Sequence, residues 1–173
     1  IILKKCCPKH LDAVLSVLEQ LGCHISCTED EIFFSGKEPL HSIDIIRTMV
    51  YPGFPTDCQA FIMSAACIAQ GTTVFVENIF ENRYRHADEL RRMGANIRAE
   101  GKVAVVEGVK KLYGAKICAP DLRGGAGLVA AALCAEGKTE ISGVKHIDRG
   151  YEDIENVLAS VGSDIKRIDP YRI

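Results

Sequence analysis

The sequence predicts an α/β domain in which sheets surround a helical centre. Two repeated patterns support this prediction. In the first, which occurs three times, an amphipathic helix ends at Gly22, Gly94 or Gly162 and a strand follows. In the second, which occurs twice, a helix that is apolar on almost all sides leads through Gly71 or Gly137 into a strand. Helices that are apolar all round belong in the interior, so we expect the second kind at the centre and the first kind outside.

Each element is predicted from the spacing of its apolar residues. In the first helix, apolar residues recur every three or four positions from Leu11 to Leu21. Strands are expected at Thr72–Val76 and Thr139–Ser142, and a hairpin at residues 96–105. We expect the second and fourth of the five predicted helices to be the most buried, because their apolar content is nearly continuous. The five helices span Leu11–Leu21, Gln59–Ala69, Ala87–Met93, Gly127–Ala135 and Glu152–Val161.

Two of these helices follow segments in which Asp or Thr occupies the expected N-cap. The segments are Pro55-Thr56-Asp57 and Pro120-Asp121-Leu122. Asp57 therefore has two interpretations. It is either the cap of its helix or a carboxylate placed to take a proton from a substrate hydroxyl.

Four junctions between a strand and a helix carry polar residues that do not suit packing, and three of them contain an arginine. Arg83, Arg123 and Arg149 are each predicted just before or at the start of a helix. A helix N-terminus is already positive, so an arginine there is unfavourable unless an anionic ligand bridges the two. The alternative is that each arginine pairs with a nearby acid. The four junctions are residues 51–57, 80–84, 121–125 and 146–151, and the nearby acids are Glu81, Asp121 and Asp148.

Residues 124–127 form a glycine-rich segment, Gly-Gly-Ala-Gly, with two interpretations. It has the composition of a phosphate-binding turn, but the Lys-Ser/Thr of a P-loop is missing and no acidic residue follows at the dinucleotide-binding spacing. Close packing of a helix is the favoured interpretation. The five histidines lack metal-ligand spacing, and no cysteine pair has Cys-x-x-Cys spacing, so the sequence predicts no metal site.

Composition excludes several classes of protein. The chain has 173 residues, 47% of them hydrophobic and 25% charged, with a formal net charge of -2. These values are ordinary for a globular domain and argue against a protein that binds nucleic acid through general basic attraction. The longest apolar stretch, Gly124–Ala135, is too short to cross a bilayer.

The eight cysteines are expected to be reduced thiols in a cytoplasmic protein. Since the chain begins with Ile1, we expect its start to be a cut edge.

Four strings at these junctions resemble the UDP-N-acetylglucosamine enolpyruvyl transferase family. They are Tyr-Pro-Gly-Phe-Pro-Thr-Asp at 51–57, Phe-Glu-Asn-Arg at 80–83, Asp-Leu-Arg at 121–123 and His-Ile-Asp-Arg-Gly-Tyr at 146–151. The resemblance covers nearly the whole chain from Tyr51 onward. It implies an inside-out α/β barrel of repeated βαβαββ-like units with helices in the middle.

The resemblance also implies an activity. This family transfers the enolpyruvyl group of phosphoenolpyruvate to the 3′-hydroxyl of UDP-N-acetylglucosamine, the first committed step of peptidoglycan synthesis, and needs no cofactor. Asp57 then contacts the 3′-hydroxyl, Ile79 the sugar nucleotide, and the arginines the anionic phosphoenolpyruvate. The implied catalytic residues are Asp57 and Arg149. The implied substrate-binding residues are Asp57, Ile79, Arg83, Asp121, Leu122, Arg123 and Arg149.

No cysteine matches the family's reactive cysteine, which the resemblance assigns to a second domain. Residues 1–173 are therefore expected to be a single domain, the C-terminal part of a two-domain enzyme whose N-terminal domain is absent, and to be inactive alone. We expect neither nucleic acid nor membrane as a partner. Two alternatives stay open: a transferase that makes enolpyruvylshikimate phosphate, and a non-catalytic binding domain of the same fold.

Overall fold

The computed structural model describes residues 1–36 and 39–168. This part of the chain contains nine strands and six α-helices, with a short 3-10 helix at Pro8–Leu11. The strands are β1 (Ile2–Lys4), β2 (His24–Cys27), β3 (Glu31–Ser35), β4 (Ile45–Arg47), β5 (Thr72–Val76), β6 (Asn96–Glu100), β7 (Val103–Glu107), β8 (Lys116–Cys118) and β9 (Glu140–Ser142). The α-helices are α1 (Asp12–Gln20), α2 (Thr56–Ala66), α3 (Ala87–Arg92), α4 (Leu122–Cys134), α5 (Lys145–Asp148) and α6 (Ile154–Ser160).

The strands form three separate sheets. Their orders are β1-β3-β2, β4-β5-β7-β6 and β8-β9. The four-stranded sheet is mixed, because β4 runs parallel to β5 whereas β5 and β6 are antiparallel to β7. The predicted hairpin is confirmed as β6 and β7, in which Ala99 faces Ala104. The prediction of a strand at Thr72–Val76 is also confirmed.

Helices α2 and α4 pack against each other at the centre of the domain, as expected for the two most apolar helices. Six residues of α2 and seven of α4 are buried, whereas α1 buries only Val17 and α6 buries none. The Ser64 hydroxyl of α2 donates to the carbonyl of Gly127 in α4 at 2.8 Å, so the two backbones lie close together. The predicted architecture of sheets around central helices is therefore confirmed.

The repeat is visible in the backbone conformation. Gly22, Gly94 and Gly162 follow helices α1, α3 and α6 and have φ values of +99°, +95° and +99°. A residue with a side chain rarely adopts this left-handed conformation, which commonly ends a helix. The three glycines therefore end their helices in the same way. The predicted strand follows Gly22 and Gly94, as β2 and β6, but the described residues after Gly162, 163–168, contain no strand.

Some predicted boundaries and caps were wrong. Helix α4 begins at Leu122 rather than Gly127, so residues 124–127 lie inside the helix and do not form a turn. A Cβ added to Gly127 would lie 2.9 Å from the carbonyl oxygen of Ala60, which supports the packing interpretation. Asp121 does cap α4, but Asp57 lies inside α2, whose N-cap is Pro55. The short helix α5 was not predicted.

The described residues contain neither a disulfide bond nor a membrane-spanning helix. All eight cysteines fall within the described residues, and none of them is disulfide-bonded. In the same residues, every helix is too short or too polar to traverse a bilayer.

His86 is fully buried at the start of α3 and makes the stability of the domain depend on pH. Neither ring nitrogen has a hydrogen-bond partner among the described residues. Burial lowers the pKa of His86 to about 4, although the charge of Asp121 partly opposes this shift. Between pH 6.5 and this value the unfolded chain binds a proton that the folded chain does not. The contribution of neutral His86 to the free energy of unfolding is therefore complete above pH 6.5 and is lost as the pH falls toward 4.

We predict that His86→Leu makes the stability of the protein less sensitive to acid. Between about pH 7.5 and 4.5, wild type should lose roughly 2–3 kcal/mol more free energy of unfolding than the variant, because leucine cannot take up the proton. Urea unfolding of both proteins at several pH values measures this difference. Parallel losses in the two proteins would contradict the assignment.

Candidate functional site

Three charged side chains from separate segments meet where α2 and α4 begin. Asp57 is the second residue of α2, Arg123 is the second residue of α4, and Arg83 lies between β5 and α3. Arg123 Nη2 donates to Asp57 Oδ2 at 2.8 Å, and Arg83 Nη2 donates to Asp57 Oδ1 at 3.3 Å. We call Asp57, Arg83 and Arg123 the Asp57 cluster.

The arginines of the Asp57 cluster are mostly buried, whereas its carboxylate is open. The side chains of Arg83, Arg123 and Asp57 are 15%, 29% and 54% exposed. Two guanidinium groups face one carboxylate, so positive charge is in excess within the cluster. The N-termini of α2 and α4 add further positive potential. The surface therefore suits a ligand that presents a hydroxyl or an anion to Asp57 and its arginines.

Arg83 is fixed by contacts on both sides of its guanidinium. Its Nη2 also donates to the carbonyl oxygen of Thr56 at 3.1 Å. The guanidinium carbon lies 5.2 Å from the centre of the Phe80 ring, within the range of a cation–π contact. Arg83 is therefore tied to the first turn of α2 before any ligand binds.

Arg123 is held by Tyr151, a residue that the sequence did not single out individually. Arg123 Nη1 donates to the Tyr151 hydroxyl at 2.8 Å, and the guanidinium carbon lies 5.5 Å from the centre of the same ring. Tyr151 in turn packs edge-on against Phe61 of α2, with ring centres 6.1 Å apart. The hydrogen bonds to Asp57, and secondarily to Tyr151, raise the pKa of Arg123.

Arg149 does not occupy the position that the sequence predicted. It follows the last residue of α5, so it lies at the C-terminal end of a helix rather than at an N-terminus. Its side chain is exposed, and among the described residues it forms no ion pair. The structure therefore pairs two of the three predicted arginines, Arg83 and Arg123, with the same carboxylate. Arg149 adjoins Gly150 and Tyr151, which lie against Leu122 and Arg123.

The acids proposed as alternative partners of the arginines do not take that role. In the described part of the chain, Asp148 pairs with Arg167 at 2.7 Å. Asp121 accepts a hydrogen bond at 2.8 Å from the backbone N–H of Gly124, as a helix cap. Arg83 and Arg123 both pair with Asp57, which neither interpretation of the sequence had predicted.

The remaining predicted site residues lie beside the Asp57 cluster. Ile79 follows β5 and is 39% exposed, which leaves its side chain available to a ligand. Leu122 opens α4 and lies against Gly150, since a Cβ added there would be 3.2 Å from the leucine methyl groups. Asp121 and Leu122 therefore hold the start of α4 in place next to the segment after α5.

Cys58 follows Asp57 directly and stays a thiol near neutral pH. Burial raises its pKa, and the charge of Asp57 raises it further, while Arg123 acts in the opposite direction. A nucleophilic or metal-binding cysteine needs a lowered pKa, so Cys58 is a packing residue. In the described residues, no group of three or more His, Cys, Asp or Glu side chains is placed to hold a metal ion.

Glu77 is the site residue that sequence reasoning missed most clearly. It directly follows β5, is fully buried and accepts hydrogen bonds from four groups. The signal available in the sequence was a charged residue immediately after the apolar strand Thr72–Val76. Its partners come from three segments, so the sequence did not reveal them.

Comparisons with known proteins agree on one family. The family model described as EPSP synthase (3-phosphoshikimate 1-carboxyvinyltransferase) matches residues 1–158. A curated relative from Caldanaerobacter subterraneus, UDP-N-acetylglucosamine 1-carboxyvinyltransferase 2, is 49% identical over 95% of this chain and 39% of its own length. A relative of the same enzyme name from Desulfofundulus thermocisternus is 48% identical over 99% of this chain and 70% of its own length.

Solved structures give the same fold. The enolpyruvyl transferase NikO from Streptomyces tendae superposes with a TM-score of 0.81 at 29% identity, over 90% of this chain and 36% of that one. EPSP synthase from Acinetobacter baumannii superposes with a TM-score of 0.64 at 20% identity, over 90% of this chain and 36% of that one, which shows the fold alone. The chain spans about two fifths of the length of the first curated relatives that it matches.

Proposed function

This chain belongs to the EPSP synthase family, and on that premise we propose that its parent protein transfers the enolpyruvyl group of phosphoenolpyruvate to the 3′-hydroxyl of UDP-N-acetylglucosamine and releases phosphate. The observation that carries the proposal is the Asp57 cluster, in which an accessible carboxylate lies between two arginines at the start of two helices. The choice of acceptor is supported by the curated relatives at 45–49% identity, which carry the name UDP-N-acetylglucosamine 1-carboxyvinyltransferase.

In the proposed reaction, Asp57 takes the proton of the 3′-hydroxyl while the 3′-oxygen of the sugar bonds to C2 of phosphoenolpyruvate. The methylene carbon gains a proton from a donor outside the described residues, and a tetrahedral ketal forms. The same outside group then takes a proton back from the new methyl group as the C–O bond to phosphate breaks, and the departing phosphate takes the proton held by Asp57. The enolpyruvyl product and inorganic phosphate result, and both groups return to their starting protonation states. Substrate and ketal both carry several negative charges, which preorganised guanidinium groups stabilise most in the transition state.

The residues around Asp57 have different roles in the proposed reaction. Arg83 and Arg123 bind the anionic groups of phosphoenolpyruvate, and Ile79 contacts the sugar nucleotide. Asp121 and Leu122 support the site through the start of α4. Arg149 is proposed as a further cation near the phosphate. Its exposed position leaves it free to meet a ligand.

We further propose that residues 1–173 are one domain of a two-domain cytoplasmic enzyme in peptidoglycan synthesis, with the other domain forming the opposite wall of the active site. The share of the relatives that the chain spans supports this arrangement. The chain alone is then expected to give no measurable turnover. Holding two substrates in register is worth roughly 7–11 kcal/mol, and loss of half of it lowers the rate by several orders of magnitude. Turnover by the purified, folded chain would contradict the two-domain proposal.

Phosphate release tests the proposed function directly. The full-length protein is incubated with phosphoenolpyruvate and either UDP-N-acetylglucosamine or shikimate 3-phosphate. We expect release only with the sugar nucleotide. Release only with shikimate 3-phosphate would instead assign the EPSP synthase reaction, which the family model's description makes the competing candidate. Binding of the sugar nucleotide with no release would indicate a non-catalytic binding domain.

A further inference from the structure

Glu77 lies behind the Asp57 cluster and is out of reach of any ligand. It follows β5, its exposure is 0%, and its backbone N–H donates to the carbonyl of Lys102 at 2.8 Å. A carboxylate without hydrogen-bond donors is costly to bury, so its partners show why the fold keeps it there. Glu77 has no contact with solvent, so any effect on chemistry must pass through those partners.

The carboxylate of Glu77 joins three segments of the chain. Its Oε1 accepts from the Thr48 hydroxyl at 2.8 Å and from the backbone N–H groups of Ile79 and Phe80 at 2.8 and 3.1 Å. Its Oε2 accepts from the Thr56 hydroxyl at 2.9 Å. An ionised carboxylate only accepts hydrogen bonds, so one side chain can hold all four donors at once.

Three of the four groups that donate to the Glu77 carboxylate belong to or adjoin the proposed site. Thr56 is the first residue of α2, directly before Asp57, and its carbonyl accepts from Arg83. Ile79 is itself a proposed substrate contact, and the Phe80 ring lies under the Arg83 guanidinium. One oxygen of Glu77 binds Thr56, beside Asp57, and the other binds the Ile79–Phe80 turn. These hydrogen bonds therefore set the position of the Asp57 carboxylate relative to that turn.

We infer that Glu77 is a positioning residue for the enolpyruvyl transfer, because its Oε2 fixes the first turn of α2 and its Oε1 fixes the Ile79–Phe80 turn. This inference rests on the proposed function. It predicts that cutting the Glu77–Thr56 bond moves Asp57 relative to the acceptor hydroxyl while the binding of phosphoenolpyruvate is little changed. A displacement of about 1 Å near a reacting group can lower a rate by roughly 100-fold.

The test compares Thr56→Val with Thr56→Ser in the full-length protein. Valine keeps the shape of threonine but loses the hydroxyl, whereas serine keeps the hydroxyl and loses only a methyl group. We expect Thr56→Val to lower kcat by about 10- to 100-fold with the KM for phosphoenolpyruvate nearly unchanged, and Thr56→Ser to restore most of kcat. Thr72→Val, on an exposed threonine at the other end of β5, is the matched control and should turn over like wild type.

Each outcome of this test has one meaning. A role in stability alone would lower the urea midpoint of Thr56→Val but leave kcat per folded molecule unchanged, which would overturn the inference. Equal losses in Thr56→Val and Thr56→Ser would overturn it as well, since only one of them lacks the hydroxyl. A wild-type protein with no turnover would contradict the proposed function and this inference with it, whereas an active wild type with an unaffected Thr56→Val contradicts the inference only.

Discussion

Asp57→Asn in the full-length protein is expected to lower kcat by about 100- to 10,000-fold, the usual range for loss of a general base. Asparagine keeps the size of the side chain and one oxygen for an arginine, but it cannot take the proton of the acceptor hydroxyl. Binding should change far less than kcat, because Arg83 keeps its hydrogen bond to the Thr56 carbonyl and Arg123 keeps its hydrogen bond to Tyr151. Steady-state kinetics together with calorimetric binding of the sugar nucleotide separates the two quantities.

The control for Asp57→Asn is the same substitution in an ion pair outside the Asp57 cluster. Asp88 on α3 is exposed and pairs with Arg91, and Asp88→Asn should leave kcat within a few-fold of wild type, as expected for an exposed ion pair. If Asp57→Asn also stays within a few-fold of wild type, Asp57 is a binding contact or a structural residue and not a base.

Gly127→Val is expected to lower the free energy of unfolding by about 3 kcal/mol, at the upper end of the usual cost of overpacking. A Cβ on Gly127 would lie 2.9 Å from both the Cβ and the carbonyl oxygen of Ala60, and neither belongs to a flexible side chain that can move away. The valine must therefore push α2 and α4 apart. The hydrogen bond from the Ser64 hydroxyl to the Gly127 carbonyl would then also be lost.

Urea unfolding of Gly127→Val measures this loss, with Leu133→Val as its control. Leu133 lies on the same helix and is 43% exposed, so its substitution tests the cost of a β-branched residue in α4 without a steric clash. A stability loss at Gly127 no larger than that at Leu133 would show that α2 and α4 tolerate separation, and the close-packing interpretation of residues 124–127 would fail.

Local signals explain why much of the fold could be predicted. The nearly continuous apolar content of two segments located α2 and α4 and identified them as the most buried helices. The glycines after α1, α3 and α6 were found because a left-handed helix end requires that residue type. Both signals are contained within about a dozen neighbouring residues and need no knowledge of the tertiary structure.

Contacts between distant segments could not be predicted in the same way. Asp57 pairs with Arg123, 66 positions away, and with Arg83, 26 positions away. The sequence identified all three residues but offered only nearby acids as partners for the arginines. Arg149 was placed at the wrong end of a helix because α5 has only four residues, too few for a periodic pattern.

The most direct measurement is a crystal structure of the full-length protein with UDP-N-acetylglucosamine bound. If the Asp57 cluster is the acceptor site, a carboxylate oxygen of Asp57 lies about 2.6–3.2 Å from the 3′-oxygen of the sugar, with Arg83 and Arg123 on the side where phosphoenolpyruvate binds. A 3′-oxygen more than roughly 6 Å from Asp57, beyond reach even through one bridging water, would contradict the account.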